Sequence, residues 1–392
     1  MHEFSFDWPS PLDPPSLLTK ASTEPPVFRV RMPSGDEGYL VTRYDDVVRV
    51  LMDPAFSRAW LFRPDVPRYS GSPLGLPESL LNLDPPDHTR LRRAVSRAFV
   101  PRRVESMRAS VREVAEGLLD RMEAKGGPAD LVEEFCSPLP ISVICRLFGV
   151  PQADWAALRD WTDRALSLTA HSPDDITEAL TRLHAYFVEL VAAKRAAPSD
   201  DLLSMLITAP ERQDELSDAE MVSVAGTILG AGFETTVNQL AISAYVLLRD
   251  RELYTGLRED PARVPSAVEE LLRLTPTTHG TARIATADVE VGGVLIPAGS
   301  MVLAWIAAAN RDEHAFPEPV RTDLERAKNE HLTFGRGAHF CLGAAIARLE
   351  LQVGLAALIR RFPDLRPAAD PADLRWRSGM VAFGPHDLPV TW

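Results

Sequence analysis

Phe334-Gly335-Arg336-Gly337-Ala338-His339-Phe340-Cys341-Leu342-Gly343 is the stretch on which the reading of this chain turns. Two glycines let the backbone bend tightly, and the cysteine stands where apolar helical periodicity sets in, from about Leu342 to Arg361. A sulfur at that point sees the unpaired N–H groups of a first helical turn and the positive end of the helix dipole. Both favour thiolate over thiol. A thiolate in a dry, glycine-lined loop suits a soft axial ligand to iron, and Gly343 would let the following helix approach a flat cofactor closely. An isolated cysteine before a helix is more often a buried structural residue, so the rest of the chain has to decide between the two.

The chain has 392 residues, 45% hydrophobic and 25% charged, with a formal net charge of -13. That is enough for one large domain or two ordinary ones with a sizeable core, and it excludes disordered and fibrous classes. Net acidity argues against a nucleic-acid binder, which needs a basic field. Three cysteines, Cys136, Cys145 and Cys341, are too few and too scattered for a disulfide framework and fit a reducing compartment. The start, Met1 to Pro9, has neither a basic nor an apolar leader region, so no signal peptide is expected. The most apolar stretch, Met221 to Leu248, is interrupted by Glu234, Asn238 and Gln239, so no membrane span is expected either. A cytoplasmic location follows as the expectation.

Val27-Phe28-Arg29-Val30-Arg31 and Gly38-Tyr39-Leu40-Val41-Thr42 read as strands around a turn. Residues 57–83 are irregular and apolar, as in a loop that covers something. Helical periodicity then dominates from Pro85 to about Pro276. Ser217-Asp218-Ala219-Glu220 is a capping box opening a helix of about thirty residues, on the order of 45 Å long. Residues 288–299 predict a hairpin around Gly292-Gly293, and 310–340 a long coil. Helix with minor sheet, lacking strict strand–helix alternation, excludes a doubly wound fold.

The ten-residue spacing matches the Phe-Gly-x-Gly-x-His-x-Cys-x-Gly signature of the cytochrome P450 family, and the chain resembles its soluble bacterial members over essentially its full length. The resemblance implies a mostly α fold with minor β, a single domain shaped as a triangular helical prism with small β-sheets, and haem b buried between two central helices. Within it, residues 1–83 would hold strands and the covering loop, 84–276 the helical core, 277–340 the hairpin and meander, and 341–392 the haem-ligand helix and C-terminal loop. Cys341 would be the axial iron ligand, with Phe334 beside it. Glu270-Leu271-Leu272-Arg273 resembles the family's Glu-x-x-Arg; the two charges share a helix face and would join a meander arginine, Arg321 or Arg326, with Arg321 placed as the third member. Thr322 stands where relatives usually have Phe.

Ala231-Gly232-Phe233-Glu234-Thr235-Thr236, in the middle of the long helix, resembles the oxygen-binding groove of the family. By that resemblance Gly232 leaves room for dioxygen, and Thr235 and Glu234 deliver protons during oxygen activation. His88 and Arg92, at i and i+4, would bind the haem propionates together with Arg283 and His339. Arg90, Arg92, Arg93, Arg97, Arg336 and Arg348 would form a basic patch for an acidic electron donor, a ferredoxin served by a reductase that draws on NAD(P)H. Leu76, Leu80, Leu81, Phe233, Met380 and Val381 suggest an apolar substrate pocket, with Thr278, His279 and Arg58 as polar contacts. The implied activity is O2-dependent hydroxylation or epoxidation of a small apolar molecule, free or on a carrier protein, in terpenoid, macrolide or alkaloid tailoring. The alternatives are oxidative ring closure, coupling or rearrangement on the same fold, and a haem module that senses gas without turnover.

Overall fold

Ser217 opens the longest helix as the capping box predicts: its hydroxyl accepts the Glu220 amide (3.3 Å), and the Glu220 carboxylate accepts the Ser217 amide (2.8 Å). The computed structural model describes residues 2–5, 8–13, 15–21, 25–71, 74–208 and 216–392; residues 72–73 of the covering loop and Met1, Phe6 and Asp7 of the amino-terminal stretch lie outside the described residues. The helices that position the site are, in chain order, α1 (Asp87–Ser96), α2 (Arg108–Lys125), α3 (Pro138–Phe148), α4 (Trp155–Ala165), α5 (Pro173–Ala196), α6 (Asp218–Arg249), α7 (Val264–Leu274) and α8 (Ala344–Arg361). α6 is the 32-residue helix set up by Ser217, about 48 Å at 1.5 Å per residue.

α6 is enclosed because its neighbours are apolar where they meet it. α3 is buried almost all round, through Leu139, Ile141, Val143, Ile144, Cys145 and Phe148, as a helix without a polar face has to be. α3, α5 and α8 pack on α6, α2 packs on α8, and α7 packs on both α6 and α8. The core is continuous across them, from Leu119 and Phe135 to Leu240 and Leu355.

The strands of the main sheet and the hairpin are β1 (His2–Glu3), β2 (Val27–Arg31), β3 (Glu37–Val41), β4 (Phe56–Ser57), β5 (Thr281–Ala285), β6 (Val289–Val291), β7 (Val294–Ile296) and β8 (Met301–Ala304). The main sheet runs β1-β2-β3-β8-β5-β4. β3 pairs parallel to β8 with Val41 beside Ala304, and β4 pairs antiparallel to β5 with Ser57 beside Ile284. The β6–β7 hairpin turns at Gly292 and Gly293, both at positive φ, the chemistry of a two-residue turn. The last helix begins at Ala344, two residues beyond the start that periodicity suggests. The Gly343 and Ala344 amides lie beside the Cys341 sulfur, and the Ala344 amide also donates to the Cys341 carbonyl at 3.4 Å. The architecture is the single-domain, mostly helical one expected.

Candidate active site

The cysteine loop closes on itself: the Cys341 amide donates to the Phe334 carbonyl at 2.8 Å. Gly335 and Gly337 both hold φ of +70°, and a Cβ on Gly337 would lie 2.9 Å from the Leu51 carbonyl oxygen. Neither position tolerates a side chain cheaply. Cys341 is an exposed residue of the loop. Burial on its remaining sides raises its pKa, against the opposing pull of the Gly343 amide, Arg92, Arg348 and the Ala344 amide. The net direction is upward, which corrects the expectation that the helix start alone favours thiolate. Coordination to a metal ion deprotonates a thiol outright, so the donor set fits an iron-bound sulfur.

Two carboxylates on α7 anchor the segments on either side of this loop, the meander before it and α8 after it. Glu270 and Arg273 have fully buried side chains and form a bidentate pair at 2.8 and 2.8 Å. Glu270 also accepts from the Asp323 amide (2.9 Å), Asn329 (3.0 Å) and Arg326 (3.1 Å). Arg326, not Arg321, is therefore the third member of the network. Arg321 contributes only its carbonyl, at 3.4 Å from Arg273, while its guanidinium points outward to Glu318. The neighbouring Glu269 holds Arg348 by two bonds of 2.8 Å and His331 at 3.2 Å. The Arg348 guanidinium lies 4.4 Å above the Phe334 ring, a cation–π contact. Arg348 is thus engaged internally, as Arg90 is with Glu220, which leaves the expected basic patch thinner.

On α6, Ala231 is exposed and Thr235 half-buried, one turn apart on a helix otherwise largely enclosed. The Thr235 hydroxyl donates to the Ala231 carbonyl at 2.9 Å, an i−4 bond that loosens the helix locally. A Cβ on Gly232 would point at Ile144, 3.2 Å from its Cδ1. That glycine permits the close approach of α3, and on this turn Ala231 and Thr235 are the exposed and half-buried positions beside it. Glu234 is 4% exposed and turns elsewhere. It accepts from Asn238 at 3.0 Å and from Arg377, whose second nitrogen takes Asp163 of α4. Burial works against charge on Arg377, but Glu234 and Asp163 outweigh it and raise the guanidinium's pKa. Arg377 escaped the sequence reading because nothing separates it from Arg375 two residues away, which pairs with Asp387 at the surface. The available signal was Glu234 itself, a carboxylate in an apolar helix that has to be paired.

Between α1 and β5 lies a cationic group. Arg58 and Arg283 are buried, and the Nη1 of each donates to Thr281 Oγ1 at 2.9 Å. Arg92 donates to the Phe340 carbonyl. The rings of His88 and His339 sit 4.2 Å apart, and the buried Nδ1 of His88 has no partner among the described residues. Burial, then Arg92, lowers the His88 pKa to about 4; burial, Arg283, His88, Arg58 and Arg92 lower that of His339 to about 2. Among the described residues no carboxylate forms an ion pair with Arg58, Arg92 or Arg283. Buried cations and an orphaned ring nitrogen call for an anion, and the carboxylates of a haem suit them. His88, Arg92, Arg283 and His339, the residues expected to hold the propionates, lie near one another. Arg58, read as a substrate contact, shares the acceptor Thr281 Oγ1 with Arg283.

The substrate residues divide. Phe233 is fully buried in the helical core, so it walls no pocket. His279 stacks on Trp8 with centroids 3.7 Å apart and touches Phe383, which commits its ring to packing. Met380 and Val381 are stitched to the end of α4: Met380 bridges Ser167, and the Val381 amide donates to Leu166. Leu80 is buried, Leu81 is 36% exposed, and Thr278 is half-buried.

A sequence profile of the cytochrome P450 family matches residues 152–374. Nocardicin C N-oxygenase of Nocardia uniformis subsp. tsuyamanensis is 45% identical over 99% of this chain and 98% of its own. Mycinamicin IV hydroxylase/epoxidase of Micromonospora griseorubida is 46% identical over 94% and 92%. The crystal structure of cytochrome P450mel, which has biaryl coupling reactivity, superposes over 100% of both chains with a TM-score of 0.95 at 41% identity. No helix among the described residues is long and apolar enough to cross a membrane. The chain, with its cysteine loop and cationic group, belongs to the cytochrome P450 family, oxidoreductases that use haem-thiolate iron and O2.

Proposed function

We propose that this enzyme inserts one oxygen atom into a C–H bond or alkene of a small, largely apolar molecule of bacterial secondary metabolism, such as a terpenoid, macrolide or alkaloid. The observation that carries the reading is the opening of α6 at Ala231 and Thr235, with a buried carboxylate, Glu234, as the next residue. Cys341, with His88, Arg92, Arg283 and His339, would hold haem b, which would supply the chemistry of dioxygen activation. The Thr235 hydroxyl hands protons to the open side of α6. Glu234 replenishes that hydroxyl, and for this its carboxylate has to leave Arg377. Leu80, Leu81, Thr278, Met380 and Val381 shape the substrate side; the stitching of 379–381 to the end of α4 makes that wall one unit with α4.

Electrons come from NAD(P)H through a ferredoxin reductase and a ferredoxin that meets the arginines around α1, and the enzyme works in the cytoplasm. The substrate is free or carried on a protein. The biaryl coupling of P450mel keeps oxidative coupling as the second reading; the intact Glu234–Thr235 pair favours oxygen insertion. Soret difference titration of the ferric enzyme against terpenoids, macrolides and cyclic peptides tests the substrate class. A blue shift with one class, followed by a product 16 mass units heavier, is the expected result. A product lighter by two hydrogens would replace insertion by ring closure, and one of twice the substrate mass less two hydrogens would replace it by coupling.

A further inference from the structure

The pairing of β4 with β5 puts two arginines side by side. Ser57 lies opposite Ile284 and Phe56 opposite Ala285, so the next step of the same register brings Arg58 to Arg283. Both are buried, at 6% and 3% exposure, and both spend a nitrogen on the same acceptor, Thr281 Oγ1. Burial, and then the charge of Arg58, lower the Arg283 pKa. Asp84 is the nearby carboxylate, yet it accepts the Arg58 and Ala59 amides and the Ser57 hydroxyl rather than either guanidinium. Two like charges in a dry place need an anion between them.

The other end of Arg58 reaches a different structure. Its Nε donates to the Leu81 carbonyl (3.2 Å) and its Nη2 to Asn82 Oδ1 (2.9 Å). Asn82 in turn donates to the carbonyls of Leu74 (2.8 Å) and Leu76 (2.9 Å). One planar fork therefore spans the Arg283 cluster and the 74–84 segment that carries Leu80 and Leu81. Lysine has no such fork.

We infer that Arg58 is a positioning residue that shares a haem propionate's charge with Arg283 and thereby makes the order of the 74–84 pocket cover depend on bound haem. This rests on the reading of Arg283 as a propionate donor. When the carboxylate is present, the two guanidiniums stop repelling each other, and Arg58 holds both the anion and the loop. When the propionate charge is lost, repulsion favours an Arg58 that swings away, and Leu81 and Asn82 lose their partner.

The test compares wild-type holoenzyme with Arg58→Met, Arg58→Lys, Asn82→Ala and Arg283→Met. It reads haem transfer to excess apomyoglobin, the ferric/ferrous potential, and hydrogen exchange of peptides covering 74–84. Arg58→Met should speed haem loss on the order of tenfold, as for a lost charge-assisted hydrogen bond, lower the potential, and raise exchange in 74–84. Arg58→Lys should keep the potential near wild type while 74–84 still exchanges faster. Asn82→Ala should raise exchange only. Faster exchange in Arg58→Met with unchanged haem loss and potential would make Arg58 a loop staple and overturn the inference, as would faster haem loss with an unchanged loop. If Arg58→Met does not load haem, the Arg58→Lys and Asn82→Ala pair decides on the same readouts. Wild-type haem retention in Arg283→Met would instead sink the propionate reading of Arg283, a separate failure.

Discussion

The cysteine side and the threonine side of the active site are both held by a buried carboxylate on a helix, but the two are secured differently. Glu270 has no exposed surface and is surrounded by donors from α7 and the meander: Arg273, the Asp323 amide, Arg326 and Asn329. Glu234 relies on Asn238 and on one arginine from the C-terminal loop, and that arginine also holds Asp163, whose side chain is 36% exposed. A carboxylate fixed from several sides cannot take part in proton traffic, and a loop bearing a metal ligand needs such rigidity. A carboxylate held by one shared cation can change partners. The contrast predicts that damage on the cysteine side is read as lost folding and damage on the threonine side as lost coupling.

The largest expected effect is on the cysteine side. Glu270→Ala leaves Arg273 and Arg326 charged without their carboxylate in a fully buried place, which should cost about 3–5 kcal/mol of stability and leave little haem-loaded protein. Thermal unfolding and the absorbance ratio of haem to protein measure both. A variant with wild-type melting would mean that the brace is not a brace. Cys341→Ser, by contrast, should fold and lose the thiolate-type absorption of the reduced carbon monoxide complex.

On the threonine side, Thr235→Ala should leave folding and haem content intact. Product per reductant consumed should fall on the order of a hundredfold, with peroxide formed in its place. Unchanged product yield would remove Thr235 from proton delivery and favour the coupling reading. The Arg377 bridge is sharpened by a double-mutant cycle of Glu234→Gln and Arg377→Met, read as product per reductant. If Arg377 acts through Glu234, the double variant is no worse than the poorer single, with a coupling of about 1–3 kcal/mol. Strict additivity would reduce Arg377 to a tie between the tail and α4.

This asymmetry also governs what could be read from sequence. The cysteine loop, the Ser217 capping box and the Glu270–Arg273 pair are local: glycine stereochemistry, i,i+3 spacing and capping act within a few residues, and each is found where spacing puts it. Arg326 and Arg321 lie in a meander without periodicity, so no rule of spacing chose between them. Which way Gly232 and Phe233 face depends on the rotation of α6 against Ile144 of α3, a tertiary quantity. His279 was drawn into packing by Trp8, 271 positions earlier, counted from the stacked pair. Arg58 and Arg377 act across 223 and 143 positions respectively, distances at which only the register of β4 on β5 and the path of the C-terminal loop bring the groups together.

The smallest expected effect concerns Glu269, the other carboxylate of the cysteine side. Burial works against its ionisation, but hydrogen bonds from His331 and Arg348 and their charges hold its pKa down at about 2, from an ordinary 4.5. A carboxylate depressed in the folded state stabilises the fold above its unfolded pKa and loses that contribution as pH falls through the folded one. The window here is therefore about pH 4.5 down to 2. With a quarter of the side chain exposed, solvent screening limits the contribution to about 1 kcal/mol. Glu269→Gln should lower stability at pH 7 by that amount and flatten the fall in melting temperature below pH 4.5. Because Arg348 lies over Phe334, the same variant should also weaken the hold on the first residue of the cysteine loop, visible as faster haem loss at neutral pH. An unchanged acid slope would mean that Glu269 carries no pH-dependent stability and that Glu270 alone ties the loop to α7.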